Sequence, residues 1–216
     1  MRENPEVGWP KSAKLVRTYE QVLAPFREDA FALLELGVAG GDSLAMWRDG
    51  FPYATIVGVD IEVPAVNLGP RVHIVQGDQR DGELLTRIRE SLAPDGFQVI
   101  IDDASHQGTH SAQSIQALFV DHLCTGGLYI IEDWRVGYYA PYSAPLTVSA
   151  LDETAAPDGG EGPMPSHDHG LVGLVKRVVD HLGAETIQAI TPDISLSPLP
   201  VESITITAEM AILHRR

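Results

Sequence analysis

Two short runs of the chain end in groups able to do chemistry. Ile100-Ile101-Asp102-Asp103-Ala104-Ser105-His106 and Tyr129-Ile130-Ile131-Glu132-Asp133-Trp134 each pass from apolar residues into carboxylates. Each apolar run reads as a buried strand with acids at its C-terminal end, and in an open parallel α/β sheet ligands sit outside those strand ends. Neighbouring strands of this kind would deliver Asp103, Glu132 and Asp133 to one crevice, with His106 a turn away. Three carboxylates and an imidazole, with no lysine or arginine among them, form the donor set of a hard cation such as Mg²⁺, with Mn²⁺ or Ca²⁺ able to substitute. Side chains alternate in direction along a strand, so only one of Asp102 and Asp103 is expected to ligate. Asp102 would instead face a cofactor or hold backbone donors. Either acid pair alone reads more readily as a solvated strand end, and His106 alone could cap the following helix; their joint occurrence favours a metal.

The elements that must position these groups alternate along the chain. Apolar spacing over residues 12–27 predicts a helix capped by Ser12, within an N-terminal helical segment covering residues 1–29. Strands are expected at Phe31–Val38, Thr55–Ile61, Val72–Val75, Phe97–Ile101 and Gly127–Ile131, and helices at Ser43–Arg48, Asp81–Leu92 and Ser111–Leu123. The proline-containing link from Glu62 to Arg71 leaves little room for a helix. Leu171 to Leu182 form an amphipathic helix expected to end at Gly183, and Ser203–Thr207 with Met210–His214 form a terminal antiparallel hairpin. The expected fold is therefore α/β, a Rossmann-like, doubly wound, mostly parallel sheet closed by a C-terminal antiparallel hairpin, in one domain over residues 1–216. Residues 135–169, rich in proline and glycine, read as a loop or lid over a substrate.

Bulk properties narrow the partners. The net charge of −15, from 30 acidic against 15 basic residues, argues against nucleic acid, whose binding depends on Lys and Arg neutralising phosphates, and against an anionic membrane surface. The single cysteine, Cys124, excludes an intrachain disulfide and a cysteine zinc site, and is expected to fill space at an apolar helix end. Without a signal-like N-terminus or a membrane-length apolar run, the expected location is the cytoplasm. The oligomeric state is open, a homo-oligomer included.

A second group of residues points to a nucleoside. Glu35-Leu36-Gly37-Val38-Ala39-Gly40-Gly41-Asp42-Ser43 joins the first strand to its helix, where glycines let the backbone approach a ligand. The second strand ends at Asp60, where ribose hydroxyls would need an acceptor, and the third leads into Asp78. Glu35 to Gly41 resembles motif I of the class I S-adenosylmethionine-dependent methyltransferases, with Ala39 where the middle glycine is usual. The terminal hairpin is similar to the strand pair that ends that fold. More narrowly, the Asp-Asp-Ala-Ser-His and Glu-Asp-Trp blocks resemble the metal-dependent sugar O-methyltransferases of the mycinamicin, macrocin and actinobacterial saccharide types, with cephalosporin-hydroxylase-like proteins as cousins.

That resemblance implies methyl transfer from S-adenosylmethionine to a hydroxyl of a sugar or glycoside, as in polysaccharide or antibiotic-sugar methylation. It implies cofactor binding by Glu35, Gly37, Gly41, Ser43, Asp60, Asp78 and Asp102, Mg²⁺ on Asp103, Glu132 and Asp133, and His106 as general base. Alternatives are a methyltransferase for catechols or other vicinal diols, and a hydroxylase-like cofactor-binding protein. Secondary candidates are His110, His167 and His169, and the aromatic residues Trp134, Tyr138, Tyr139 and Tyr142, which could stack on a sugar. Trp9 and Tyr19 belong to a segment that could cover the cofactor.

Overall fold

A computed structural model describes residues 11–138, 142, 169–190 and 199–216. Its centre is a seven-stranded sheet of order β3-β2-β1-β4-β5-β7-β6. The strands are β1 (Ala32–Leu36), β2 (Thr55–Asp60), β3 (Val72–Gln76), β4 (Phe97–Asp102), β5 (Leu123–Glu132), β6 (Val201–Ile206) and β7 (Met210–Arg215). The first five pair in parallel, and β7 adds to β5 antiparallel before turning back into β6. Helices α1 (Ala13–Val22), α2 (Asp42–Gly50), α3 (Gly82–Leu92), α4 (Gly108–Leu118) and α5 (Gly170–Ile190) cover it. This is the doubly wound, mostly parallel sheet with a terminal hairpin that the alternation of elements demands. No helix among the described residues is long and apolar enough to cross a membrane.

Strand parity sorts the core into two layers. Leu33, Ile56, Val99, Ile101, Leu128 and Ile130 pack with Leu15 and Tyr19 of α1 and with Leu44 and Trp47 of α2. Leu34, Val57, Ile100, Tyr129 and Ile131 pack with Leu85, Ile115, Leu174 and Val178 of α3, α4 and α5. Both faces are covered, so the central strands are mostly apolar, as buried parallel strands are, with Glu35, Asp102 and Glu132 as buried exceptions towards their C-terminal ends. Ser12 caps α1 by accepting from the Leu15 amide at 3.1 Å, and Asp81 caps α3 by accepting from Leu84 at 2.9 Å. Residues 61–71 contain neither helix nor strand, consistent with the two prolines there.

Several boundaries differ from the sequence expectation; the first helix, for one, ends at Val22 and passes into a short 3₁₀ turn at Ala24–Phe26. Helix α4 starts three residues earlier than Ser111 and ends at Leu118, because Leu123 already pairs with Phe97. Cys124 consequently lies in β5 and is half-buried, with its thiol donating to the Asp95 carbonyl at 3.3 Å; it does not fill a helix end. Helix α5 runs through Gly183 to Ile190. Glycine inside a helix costs about 1 kcal/mol, a small term beside the burial of the flanking turns, where Val178 and Ala184 are fully enclosed. Most of the expected lid, including His167, Tyr139 and the prolines from 141 to 165, lies outside the described residues. At its start a short 3₁₀ turn covers Trp134–Tyr138.

Candidate active site

The C-terminal ends of β1, β2, β4 and β5 open into a single cleft of about 880 Å³, lined by both groups of residues that the sequence sets apart. Register brings them level: Leu36 pairs with Asp102, Asp102 with Ile131, and Glu132 with Met210. At the end formed by the glycine-rich turn, Gly37 has φ +91, and a Cβ there would stand 2.3 Å from the Asp103 carbonyl oxygen. The loop after β1 thus lies directly on the loop after β4, which only glycine permits. Asp60 accepts from the Val38 and Ala39 amides at 2.6 and 3.0 Å, and from the Glu62 amide at 3.0 Å. Its carboxylate therefore braces the glycine-rich turn as well as facing the cleft. Asp78 is paired with Arg80 at 2.5 Å, and that guanidinium holds the Asp78 carboxyl down to about 2.

The other end of the cleft is built from charge. Among the described residues three non-glycines have positive φ, namely Ala39 (+45), His106 (+54) and Asp133 (+48), and all three line the cleft. Such backbone conformations are sparsely populated and concentrate at functional sites. Ligand atoms of Asp103, His106 and Asp133 lie within 4.8 Å of one another, and so do those of Glu35, Asp103 and Glu132. Asp103 joins the two groups.

Lys11 enters the second group from just before α1. Its ammonium is 3.0 Å from Asp103, 3.4 Å from Glu35 Oε1 and in a short hydrogen bond to Glu132. The expectation that no lysine or arginine stands among the carboxylates is therefore corrected. Burial works against the ammonium, but Glu35, Asp103 and Glu132 outweigh it and hold Lys11 charged, above the ordinary lysine range. Tyr19 donates to Glu132 at 2.6 Å. Burial and the nearby Asp103 push Glu132 up to about 7, with Lys11 and Tyr19 opposing.

Strand parity decides which acids meet. Glu35 and Glu132 project to the layer containing α1 and α2, whereas Asp102 projects to the opposite layer. There it is buried, accepting from Gln79 Nε2 and the Tyr129 hydroxyl, both at 3.1 Å. It does not line the cleft and holds side-chain rather than backbone donors. Glu35 does not line the cleft either. It is wholly enclosed and accepts through Oε2 from Ser43 Oγ at 2.8 Å and Trp47 Nε1 at 2.9 Å. Gly41 shapes the α2 N-terminus at φ +89 without lining the cleft, while Gly37, Ser43, Asp60, Asp78, Asp103, His106, Glu132 and Asp133 all line it.

No protein-family profile matches the chain. It is 34% identical over 171 residues, 76% of its length, to the 8-demethyl-8-alpha-L-rhamnosyl tetracenomycin-C 2'-O-methyltransferase of Streptomyces olivaceus. It is 38% identical over 128 residues, 56% of its length, to the mycinamicin VI 2''-O-methyltransferase of Micromonospora griseorubida. A crystal structure of the mycinamycin-pathway methyltransferase MycE with Mg and SAH superposes with a TM-score of 0.74 at 27% identity, covering 96% of this chain.

The chain is a relative of the sugar O-methyltransferases.

It spans 40% and 31% of the lengths of those two relatives and half of the crystallised chain. Sequence reasoning missed Lys11 and the burial of Glu35. A signal for Lys11 exists: Lys11, Leu15, Tyr19 and Leu23 recur at intervals of four, and Leu15, Tyr19 and Leu23 are buried. Lys11 itself precedes α1, so this spacing alone does not place its side chain. His110 lies in the first turn of α4, its Nδ1 2.9 Å from Ser105 Oγ, and also lines the cleft. Tyr142 meets the His106 ring edge-on at 6.3 Å between centroids.

Proposed function

We propose that this chain transfers the methyl group of S-adenosylmethionine to a hydroxyl of a sugar or small glycoside, assisted by Mg²⁺, with His106 as general base. The observation that carries the reading is the convergence in one cleft of a glycine-rich turn, a set of hard oxygen donors and an imidazole. The named relatives add to it: two methylate sugar hydroxyls of tetracenomycin and mycinamicin, and the solved neighbour holds Mg and SAH.

The donor set suits Mg²⁺, since carboxylate oxygens are what a small hard cation takes. Asp103, Glu132 and Asp133 would hold it. Bound there, it would orient the acceptor hydroxyl and favour alkoxide character on its oxygen. The remaining work belongs to the chain. The turn after β1, braced by Asp60, receives the nucleoside beside Asp78. His106 takes the acceptor proton as the new C–O bond forms and the C–S bond breaks, leaving a neutral thioether. No covalent enzyme intermediate is needed, so alignment of acceptor and methyl dominates the rate. The proximity of the Asp103, His106 and Asp133 ligand atoms, with left-handed backbone at His106 and Asp133, supports this reading.

Calorimetric titration of S-adenosylmethionine with and without Mg²⁺, followed by a glycoside panel, tests it. Cofactor binding together with Mg²⁺-dependent glycoside binding and SAH release is the expected outcome. Absence of cofactor binding would leave the fold and remove the function. Mg²⁺-dependent turnover of catechols but not of glycosides would move the acceptor to the vicinal-diol alternative.

A further inference from the structure

We propose that Lys11 is a built-in, exchangeable counter-ion of the carboxylate cluster. It partly offsets the charge of Asp103 and Glu132 while no divalent cation is held there, and is retained by Glu35 when one is. The inference rests on the metal reading above and adds a role for two residues outside the ligand set.

Three observations carry it. The Lys11 ammonium now bonds Asp103 at 3.0 Å and Glu132 more closely still, two of the three carboxylates assigned to Mg²⁺. A divalent cation and an ammonium cannot use the same lone pairs, and at contact distances they repel strongly. A cation that takes Asp103 Oδ2 and Glu132 Oε1 therefore displaces Lys11 from them. Next, Glu35 supplies somewhere for it to go. Glu35 is fully buried, its Oε2 is filled by Ser43 and Trp47, and its Oε1 has no hydrogen-bond partner while lying 3.4 Å from the ammonium. A buried carboxylate oxygen without a donor is costly and rare, so this one is an acceptor held in reserve. Finally, the charge count leaves room for both cations: four carboxylates stand against a divalent cation and one ammonium, a net of −1. Glu35, Asp103, Glu132 and Asp133 carry one carboxylate more than the proposed ligand set, and Lys11 is the only described cation seated among Glu35, Asp103 and Glu132. The ammonium keeps the surplus buried carboxylate compensated after the divalent cation arrives.

A merely structural lysine would predict something different. If Lys11 only held the carboxylates in place, its removal would weaken metal binding, and Glu35 would act independently of it. Exchange predicts opposite signs and a coupling between the two positions.

The test is calorimetric titration of Mg²⁺ alone into metal-stripped wild type, Lys11→Met, Glu35→Gln and the double variant at pH 8, with SAH binding as the check that each variant is folded. Lys11→Met should tighten Mg²⁺ binding by about tenfold, since a competing cation is gone. Glu35→Gln should weaken it by about tenfold with Lys11 present, and by no more than about threefold in the Lys11→Met background. Lys11→Arg provides a second handle should Lys11→Met not fold. Its fork grips carboxylates bidentately and should weaken Mg²⁺ binding several-fold. Unchanged or weaker Mg²⁺ binding in Lys11→Met overturns the proposal. An equal effect of Glu35→Gln in both backgrounds does so too, making Glu35 a ligand or a packing residue. If wild type itself binds no Mg²⁺, the metal reading fails and takes this inference with it.

Discussion

The two ends of the cleft are built on opposite plans. At the nucleotide end, polar groups are satisfied locally: Asp60 braces amides 21 and 22 residues away, and Asp78 pairs with Arg80 two residues on. At the carboxylate end, Lys11 meets Asp103 and Glu132 across 92 and 121 residues, and Tyr19 meets Glu132 across 113. The first end is partly solvated and needs little from the rest of the fold. The second buries charge, which is stable only when every partner is delivered together. The nucleotide end should therefore tolerate substitution piecemeal, and the carboxylate end should fail as a unit.

The largest effects should come from cutting the carboxylate end while the nucleotide end stays intact. Asp103→Ala should abolish Mg²⁺-dependent turnover, and His106→Ala should reduce it by on the order of 10²–10⁴-fold, both with SAH binding retained in calorimetry. A metal-independent rate near wild type in Asp103→Ala would remove the metal from the reading; unchanged turnover in His106→Ala would remove the base. The converse cut is Asp60→Ala, which frees the Val38 and Ala39 amides. It should weaken SAH binding by roughly tenfold, as expected for losing charge-assisted hydrogen bonds of about 1.5–3 kcal/mol, and leave Mg²⁺ affinity within error. Equal loss of both affinities would show that the two ends are not separable.

A smaller effect sharpens the energetic contrast. Tyr19→Phe takes one donor from buried Glu132 and should cost about 1–3 kcal/mol, read as a fall in melting temperature of about 2–4 °C per kcal/mol. No change would mean that Glu132 is satisfied by Lys11 alone. The smallest effect belongs to the exposed pair Asp78–Arg80. Its depressed carboxyl adds stability above the ordinary value near 3.8 and loses it as pH falls towards about 2. The stability difference between wild type and Asp78→Asn should accordingly be flat from neutrality to about pH 4 and shrink below it. With the Asp78 side chain 37% exposed, the difference should stay within about 1 kcal/mol. A difference that instead fades near pH 5 would show that Arg80 does not hold this carboxylate in solution.

Legibility in the sequence followed the same division. The glycine-rich turn, the Ser12 cap and the hairpin are local patterns, and each appears where its residues suggest, whereas the expected helix end at Gly183 and the expected start of β5 do not. Glu35 is the instructive miss: its place in a nucleotide-binding motif suggested contact with the cofactor, yet strand parity turns it inward beneath Lys11 and Trp47. Asp102 is turned inward by the same rule on the other layer. Both could have been placed by counting residues from Leu33 and Val99, had the α1 layer been known to cover that face.

The sequence by itself determined the parallel sheet, the single cleft at its carboxyl edge and the acids at the ends of β4 and β5, because apolar periodicity and turn chemistry act over a few residues. Only the tertiary structure decided which carboxylates share a neighbourhood and that a lysine from the N-terminal segment sits among them. That outcome depends on how α1 docks against the sheet, a contact made by burial of Leu15, Tyr19 and Leu23, and burial energy carries no label for the charged residue one turn ahead of the stripe.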